Sequence, residues 1–146
     1  MNISNKSSFQ LVDYKIQKLF FDNPFADLSG DSSNLSYFAV SSKEYTDGHW
    51  EGSVALGFKT SINSDDSENI LFEGVILGEF SDPGCTDSIS GDEFVTKLRI
   101  NGSSTLIPIL RAAACSGSAL MGFPGKYTLP NINVFTLEWN DNSFEQ

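Results

Sequence analysis

His49 is the first residue to consider for catalysis, because imidazole is the commonest general base in enzymes. It is the only histidine of the chain. A Ser-His-Asp triad would also need a presented serine, and the sequence contains no Gly-x-Ser-x-Gly elbow. His49 stands between a glycine and Trp50, and we interpret it as a residue at the edge of a strand. The sequence therefore does not favour nucleophilic catalysis.

Phosphate and calcium motifs also fail on their context. Gly125-Lys126 is followed by Tyr127 and comes after a predicted helix, whereas a phosphate-binding loop precedes one. The acidic stretch 65–68 lacks the glycine and the bidentate glutamate of a calcium loop. We interpret that stretch as a solvated hairpin tip and expect no metal site and no cofactor.

Paired carboxylates and thiols give no better candidate. Glu73 and Glu79 fall on one strand face about 20 Å apart, too far for the two carboxylates of a glycosidase. Cys85 and Cys115 match no metal-binding or redox spacing, so we expect two reduced thiols. We therefore predict that the protein is not an enzyme and has no catalytic residues.

Composition indicates one folded domain. The chain has 146 residues, 40% of them hydrophobic and 19% charged, which suits a single core. We expect a disordered tail at 1–8 and a domain at 9–146. The net charge of −10 argues against nucleic acid and anionic membranes as partners. A polar start and the lack of a long apolar run predict a cytoplasmic protein without membrane insertion.

Four segments have the pattern of β-strands, namely 9–21, 37–45, 50–62 and 70–80. In the first, Val12, Tyr14 and Ile16 alternate with polar residues, as in a half-buried strand. The third and fourth have apolar residues at even positions, which predicts one face packed on a helix. Loops are expected at 25–35, 63–69 and 81–90, and a turn at 46–48.

A helix is predicted near the middle of the second half. Ser104 or Thr105 would cap it, Pro108 would lie in its first turn, and Gly122 would end it. Residues 92–100 fit a short helix or an edge strand, and 101–102 fits a turn. The small residues 112–119 allow close approach of another element, either the chain's own sheet or the same helix of another subunit. Strands followed by a helix predict an α+β fold.

After this helix, an apolar segment extends to Phe135 and is interrupted by Pro124 and Pro130. It contains no pattern of catalytic residues. It offers apolar surface instead, so it indicates binding of a partner and not chemistry.

Several short motifs resemble, in their order, the SecB family of bacterial export chaperones and its SecB-like relatives. Residues 21–24, Phe-Asp-Asn-Pro, are similar to the family's Phe-Glu-x-Pro. Leu-Phe-Glu at 71–73 and Gly-Glu-Phe at 78–80 are similar to its Leu-x-Glu and Gly-x-Phe. Leu-Ile-Pro-Ile-Leu-Arg at 106–111 resembles its helix start, and the motifs at 122–124, 129–130 and 132–133 resemble the segment that follows it.

This resemblance implies a four-stranded antiparallel sheet with a long helix packed on one face. It implies a dimer that pairs into a tetramer, and an ATP-independent holdase that binds unfolded polypeptides in apolar grooves during protein export. After residue 133 the family pattern fades. We therefore expect the family's second helix to be shortened or replaced here, with 134–139 forming a short strand or a truncated helix.

Two sets of site residues follow. The expected client contacts lie on the apolar segment, and packing of the same side chains in the core is the alternative: Phe123, Tyr127, Leu129, Ile132, Val134 and Phe135. The resemblance places contacts to the translocase motor SecA at Asp22, Leu71 and Glu73. Asp22 replaces a glutamate of the family, and Lys18 stands where the family has an acid, so the pattern for SecA docking is incomplete. An ordinary exposed strand face is the alternative for Leu71 and Glu73.

Two other functions remain open. SecB-like relatives include chaperones of toxin–antitoxin systems, so the partner is either unfolded polypeptide in general or one antitoxin-like polypeptide. An accessory protein that kept the fold and lost the groove is the third hypothesis.

Overall fold

The computed structural model describes residues 8–22, 33–64, 67–121 and 129–140. Its elements are the strands β1 (Gln10–Phe21), β2 (Ser33–Thr46), β3 (His49–Ser64) and β4 (Ser67–Asp82), the helix α1 (Gly91–Leu120) and a 3₁₀ turn at Val134–Thr136. The four strands form one antiparallel sheet in the order β1-β4-β3-β2. The helix packs on one face of the sheet. The predicted fold class is confirmed.

The central strands β3 and β4 follow the predicted alternation. Their even positions face α1 and are buried, namely Val54, Leu56, Phe58, Phe72, Ile76 and Phe80. The odd positions form the other surface of the sheet, which is called the outer face below. β2 and β3 are connected by Asp47 and Gly48, both with positive φ, which is the geometry of a two-residue hairpin turn.

The predicted alternation in β1 is wrong at two residues. Val12 is 62% exposed and Tyr14 is 49% exposed, although both were expected on a buried face. The register of β1 against β4 shifts between Leu11 and Asp13 and again between Ile16 and Lys18. Each irregularity adds an unpaired residue and breaks the period of two, so parity in the sequence does not give the face.

Two predicted loops are longer than the real ones. β2 begins at Ser33, so the end of the predicted 25–35 loop is strand, while 23–32 lies outside the described residues. The β3–β4 ladder continues through the pair Ser64 and Ser67, well into the stretch predicted as a loop. Ladder bonds are made by the backbone, so polar side chains do not end a strand by themselves.

The predicted helix start is wrong. One helix of 30 residues begins at Gly91, and the side chain of Ser90 caps it by accepting the N–H of Glu93 at 3.1 Å. The predicted turn at 101–102 therefore lies inside the helix. Buried positions recur at an interval of four residues through it: Phe94, Leu98, Gly102, Leu106, Leu110, Ala114 and Ser118. Tertiary packing of this face outweighs the low helix propensity of Asn101 and Gly102.

Pro108 lies in the helix interior and not in the first turn. It is exposed, as is Ser104 four residues earlier, so water can reach the carbonyl group that lacks its helical partner. The helix ends at Leu120 with Met121 as its C-cap, while Gly122 lies outside the described residues. Among the small residues, Gly117 packs against Phe21 of the chain's own β1.

In the described part of the chain, no helix combines the length and apolarity needed to cross a membrane. Cys85 is buried, Cys115 is half-buried, and both are free thiols, as predicted.

Candidate functional site

Residues 129–140, called the strap below, cross the outside of α1. Their first residues are held by Arg111, which donates from Nε to the carbonyl oxygen of Leu129 and from Nη2 to that of Pro130, both at 3.3 Å. The Leu129 side chain is 1% exposed and belongs to the main core. The guanidinium fork and the buried leucine together fix the start of the strap.

The last residues of the strap are held against β2. The N–H of Asn140 donates to the carbonyl oxygen of Ala39 at 2.9 Å, and the N–H of Glu138 donates to the hydroxyl of Tyr37 at 2.9 Å. Between them, the ring of Trp139 stacks with Arg99, whose Cζ lies 5.2 Å from the ring centroid. Arg99 of α1 and the edge strand β2 therefore both position this end of the strap.

Between its two anchored ends, the strap turns outward. Asn133 caps the 3₁₀ turn by accepting the N–H of Phe135 at 3.0 Å. Ile132, Val134 and Leu137 are half-buried against the core, but Phe135 is 76% exposed. This single turn stands where a second helix was expected to be shortened or replaced. A large aromatic side chain is thus displayed at the outermost point of the strap.

A groove of about 420 Å³ lies beside these contacts and is lined by both the end of the strap and β2. Its walls are residues 35–39 of β2 on one side and residues 138–140 on the other. Leu35, Tyr37 and Phe38 are each exposed, although all three are large and apolar or aromatic. Leu35 and Tyr37 lie on the helix side of this edge strand and Phe38 lies on its outer face, so apolar surface is exposed on both sides of the edge.

The expected client contacts differ in their exposure to solvent. Phe135 is exposed, Ile132 and Val134 are half-buried, and Leu129 is in the core. Phe123 and Tyr127 lie outside the described residues. Sequence reasoning did not include the residues of the β2 wall or Trp139. The adjacent aromatic residues Tyr37 and Phe38 were a signal, because neighbouring residues of a strand point to opposite faces and only one face was expected to be buried.

The residues expected to contact SecA lie at one end of the sheet. Leu71 and Glu73 are on the outer face of β4, and the N–H of Asp22 bonds the carbonyl oxygen of Leu71 at 2.9 Å. Lys18 forms a salt bridge of 3.0 Å with Glu73. The lysine that departs from the family pattern therefore partly neutralises the acidic residue carried over from it.

A buried cluster around Asp82 joins β4, the following turn and α1. Asp82 is fully buried, accepts a hydrogen bond from Ser8, and pairs with Lys97 at 2.5 Å. The Cys85 thiol donates to the same carboxylate at 3.1 Å. Ser8 was expected in the disordered tail 1–8, whose other residues lie outside the described part of the chain.

Charge balance explains the protonation of this cluster. Burial by itself would raise the pKa of Asp82, but hydrogen bonds from Lys97, Ser8 and Cys85 outweigh it and the pKa is lowered. Burial would lower the pKa of Lys97, but the bond to Asp82 raises it. Burial, reinforced by Asp82, raises the pKa of Cys85, so the sulfur is held as a thiol and is a poor nucleophile.

The remaining candidates for chemistry are His49 and groups of possible metal ligands. His49 Nε2 contacts Glu51 Oε1 at 3.0 Å at the start of β3. Among the described residues, no three potential ligands are grouped so that they could hold a metal ion.

Comparison with a solved structure supports the fold, whereas the sequence comparisons found no match. No family model and no curated protein matches the sequence. The solved structure of the Mycobacterium tuberculosis SecB-like chaperone Rv1957, in complex with a ChAD peptide from the Rv1956 HigA1 antitoxin, matches with a TM-score of 0.63. The match covers 86% of this chain and 91% of that one at 12% identity. A Streptococcus agalactiae protein of unknown function matches with a TM-score of 0.49 at 14% identity, over 86% and 99% of the two chains. The chain has a SecB-like fold.

Proposed function

We propose that this protein is an ATP-independent, cytoplasmic chaperone that binds polypeptides through the strap and the edge of β2. The observation that carries the proposal is the groove between residues 35–39 and 138–140, with Phe135 displayed on the same strap. The SecB-like fold supports the same class of function.

The chemistry of the groove suits an extended chain. It runs beside an edge strand, and its β2 wall exposes the side chains of Leu35, Tyr37 and Phe38. Ser36, Glu138 and Asn140 add polar groups to the lining. Burial of apolar surface contributes about 25 cal/mol per Å² and does not depend on direction. Such a surface tolerates many sequences, as a holdase requires.

A chaperone dedicated to one partner is the second candidate. The neighbour from Mycobacterium tuberculosis was solved with a peptide from an antitoxin, and this observation favours the second candidate for the present chain. The two functions differ in selectivity. A general holdase binds many unfolded proteins with similar affinity, whereas a dedicated chaperone binds one antitoxin-like peptide much more tightly than the rest.

A role in protein export is a further part of this proposal. It requires SecA as a partner, and the SecB resemblance implies assembly into a dimer or tetramer. A basic partner that docks on Glu73 would have to displace Lys18 from its salt bridge. The variant Lys18→Glu should therefore strengthen binding to purified SecA, if SecA is a partner. Sedimentation of the untagged protein measures the state of assembly.

The proposed function is tested by the aggregation of a chemically denatured protein on dilution. A stoichiometric amount of this protein should suppress the light scattering, without ATP. A correctly folded sample that leaves the scattering unchanged contradicts a general holdase. Titration with an antitoxin-like peptide then tests the dedicated form.

A further inference from the structure

β2 is an edge strand of the sheet, and the end of the strap bonds to it. The β2–β3 ladder runs without a register shift from Ser33 to Thr46. In an antiparallel ladder, successive residues direct their N–H and C=O groups alternately towards the neighbouring strand and away from it. Ala39 directs its carbonyl away from β3, because that oxygen accepts the Asn140 N–H at 2.9 Å. Leu35, Tyr37 and Lys43 share this parity and therefore also direct their backbone groups outward.

The end of the strap occupies part of this edge as a fragment of an added strand would. Asn140 bonds the backbone, Glu138 bonds the hydroxyl of Tyr37, and Trp139 covers Arg99. Residues 138–140 make one backbone bond to this edge, that of Asn140 to Ala39, whereas a strand paired along β2 bonds at every second residue.

We propose that residues 138–140 hold, in the chain alone, the place on the β2 edge that an extended partner polypeptide takes, so that strap and partner compete for it. The inference rests on the proposed function and specifies its site and its regulation. The strap thereby acts as a built-in competitor that sets a threshold for binding and keeps an aggregation-prone edge covered.

The same geometry defines the chemistry of the partner. An added strand places alternate side chains on opposite faces of the sheet. On the helix side they would meet Leu35 and Tyr37, and on the outer face they would meet Phe38. Departure of Trp139 also uncovers Arg99, whose guanidinium then favours a replacement aromatic ring. The partner is therefore an extended, uncharged segment with apolar side chains on both faces and an aromatic residue.

Proline at position 140 tests the competition, because it removes the N–H that bonds Ala39. The probe is fluorescein-labelled, reduced and carboxymethylated α-lactalbumin, a protein that stays unfolded in buffer. Asn140→Pro should bind it about 3- to 10-fold more tightly than the wild type, since one net hydrogen bond no longer opposes binding. Trp139→Ala should act in the same direction. Asn140→Ala changes the same side chain but keeps the amide, so it should bind the probe less tightly than Asn140→Pro; equal affinity of the two variants would mean that the amide is not what competes.

Each outcome separates this inference from the proposed function. If wild type and Asn140→Pro bind the probe equally, the competition is refuted while the chaperone function stands. If neither binds it, the competition for unfolded chains and the general holdase function are both refuted. If Asn140→Pro instead forms larger assemblies without the probe, the edge accepts a second copy of the chain, and the inference about a partner polypeptide is wrong.

Hydrogen exchange gives a second measurement that needs no substitution. When the probe saturates the wild-type protein, the amide of Asn140 should exchange faster because it has left Ala39. The amides of Tyr37 and Lys43 should exchange more slowly because they have gained partners. Unchanged exchange at all three amides, with the probe bound, would place the probe elsewhere and overturn the inference.

Discussion

Gly102 of α1 lies directly against Val54 of β3. A Cβ atom at position 102 would stand 2.9 Å from Cγ2 of Val54, closer than side-chain carbons approach in proteins. Val54 is fully buried, so its methyl group cannot move into solvent. The distance between the helix and the sheet therefore depends on a glycine that, from sequence alone, reads as a turn.

Gly102→Ala should destabilise the protein by up to about 2 kcal/mol. Alanine favours a helix over glycine by about 1 kcal/mol, but overpacking a close contact costs about 1–3 kcal/mol. Urea unfolding followed by circular dichroism measures the difference. Ser104→Ala, at an exposed position of the same helix, is the control and should be neutral or slightly stabilising. Stabilisation by Gly102→Ala would show that the contact is looser than described.

Arg111→Met should loosen the start of the strap. The substitution keeps an unbranched side chain but leaves the carbonyl groups of Leu129 and Pro130 without their donors. Loss of these bonds should cost about 1–3 kcal/mol, with faster hydrogen exchange along residues 131–137. Arg111→Lys should recover only part of the loss, because an ammonium group cannot reproduce the planar fork. Full recovery by lysine would mean that charge alone holds the strap.

Lys97→Met should destabilise the protein by about 3 kcal/mol near neutral pH, because it leaves the fully buried Asp82 carboxylate without its cation. Adding Asp82→Asn should restore part of the loss, since the buried charge is then gone. Denaturant unfolding of the single and double variants measures both effects. A double variant less stable than Lys97→Met would contradict the explanation.

The Asp82–Lys97 pair should also set a pH window. The pKa of Asp82 is lowered on folding, so its contribution is present above its ordinary value of 3.8 and is lost as the pH falls through the folded value. The pKa of Lys97 is raised, so its contribution is present below 10.5 and is lost as the pH rises through the folded value. The stability difference between wild type and Asp82→Asn should therefore shrink at acidic pH.

Phe135→Asp should weaken polypeptide binding without changing stability. The ring is 76% exposed, so its removal affects little of the fold, but it removes apolar surface that a partner can bury. The loss should be about 3- to 30-fold in affinity. Leu129→Asp is not an equivalent test, because it would place a charge in the core and unfold the chain. Equal binding by wild type and Phe135→Asp would remove Phe135 from the site.

The sequence predicts the sheet better than the helix. In β3 and β4 one face is buried along nearly the whole strand, and the alternation of apolar residues reports this directly. In β1 the irregular register breaks the alternation, which side-chain hydrophobicity does not encode. Helical spacing of apolar residues continues across Gly102, through Phe94, Leu98, Leu106 and Leu110. Taken by itself, the pair Asn101-Gly102 favours a turn, and this local preference is what misleads the prediction.

The candidate site was predicted only on one side. The apolar segment after the helix predicted the strap and Phe135, because a run of apolar residues interrupted by prolines can be recognised in the sequence. The opposite wall is formed by β2, and only folding brings Tyr37 beside Glu138 and Ala39 beside Asn140, since each pair is 101 residues apart in the chain. Long-range pairing of this kind is not encoded by any local pattern.

The measurement that tests the central claim most directly is the binding of a permanently unfolded protein to the purified chain, with Phe135→Asp alongside. Saturable binding that does not need ATP, weakened by Phe135→Asp while its unfolding curve matches that of the wild type, is the predicted result. A folded wild-type protein that binds neither this probe nor an antitoxin-like peptide would contradict the claim that the strap and the β2 edge form a polypeptide-binding site.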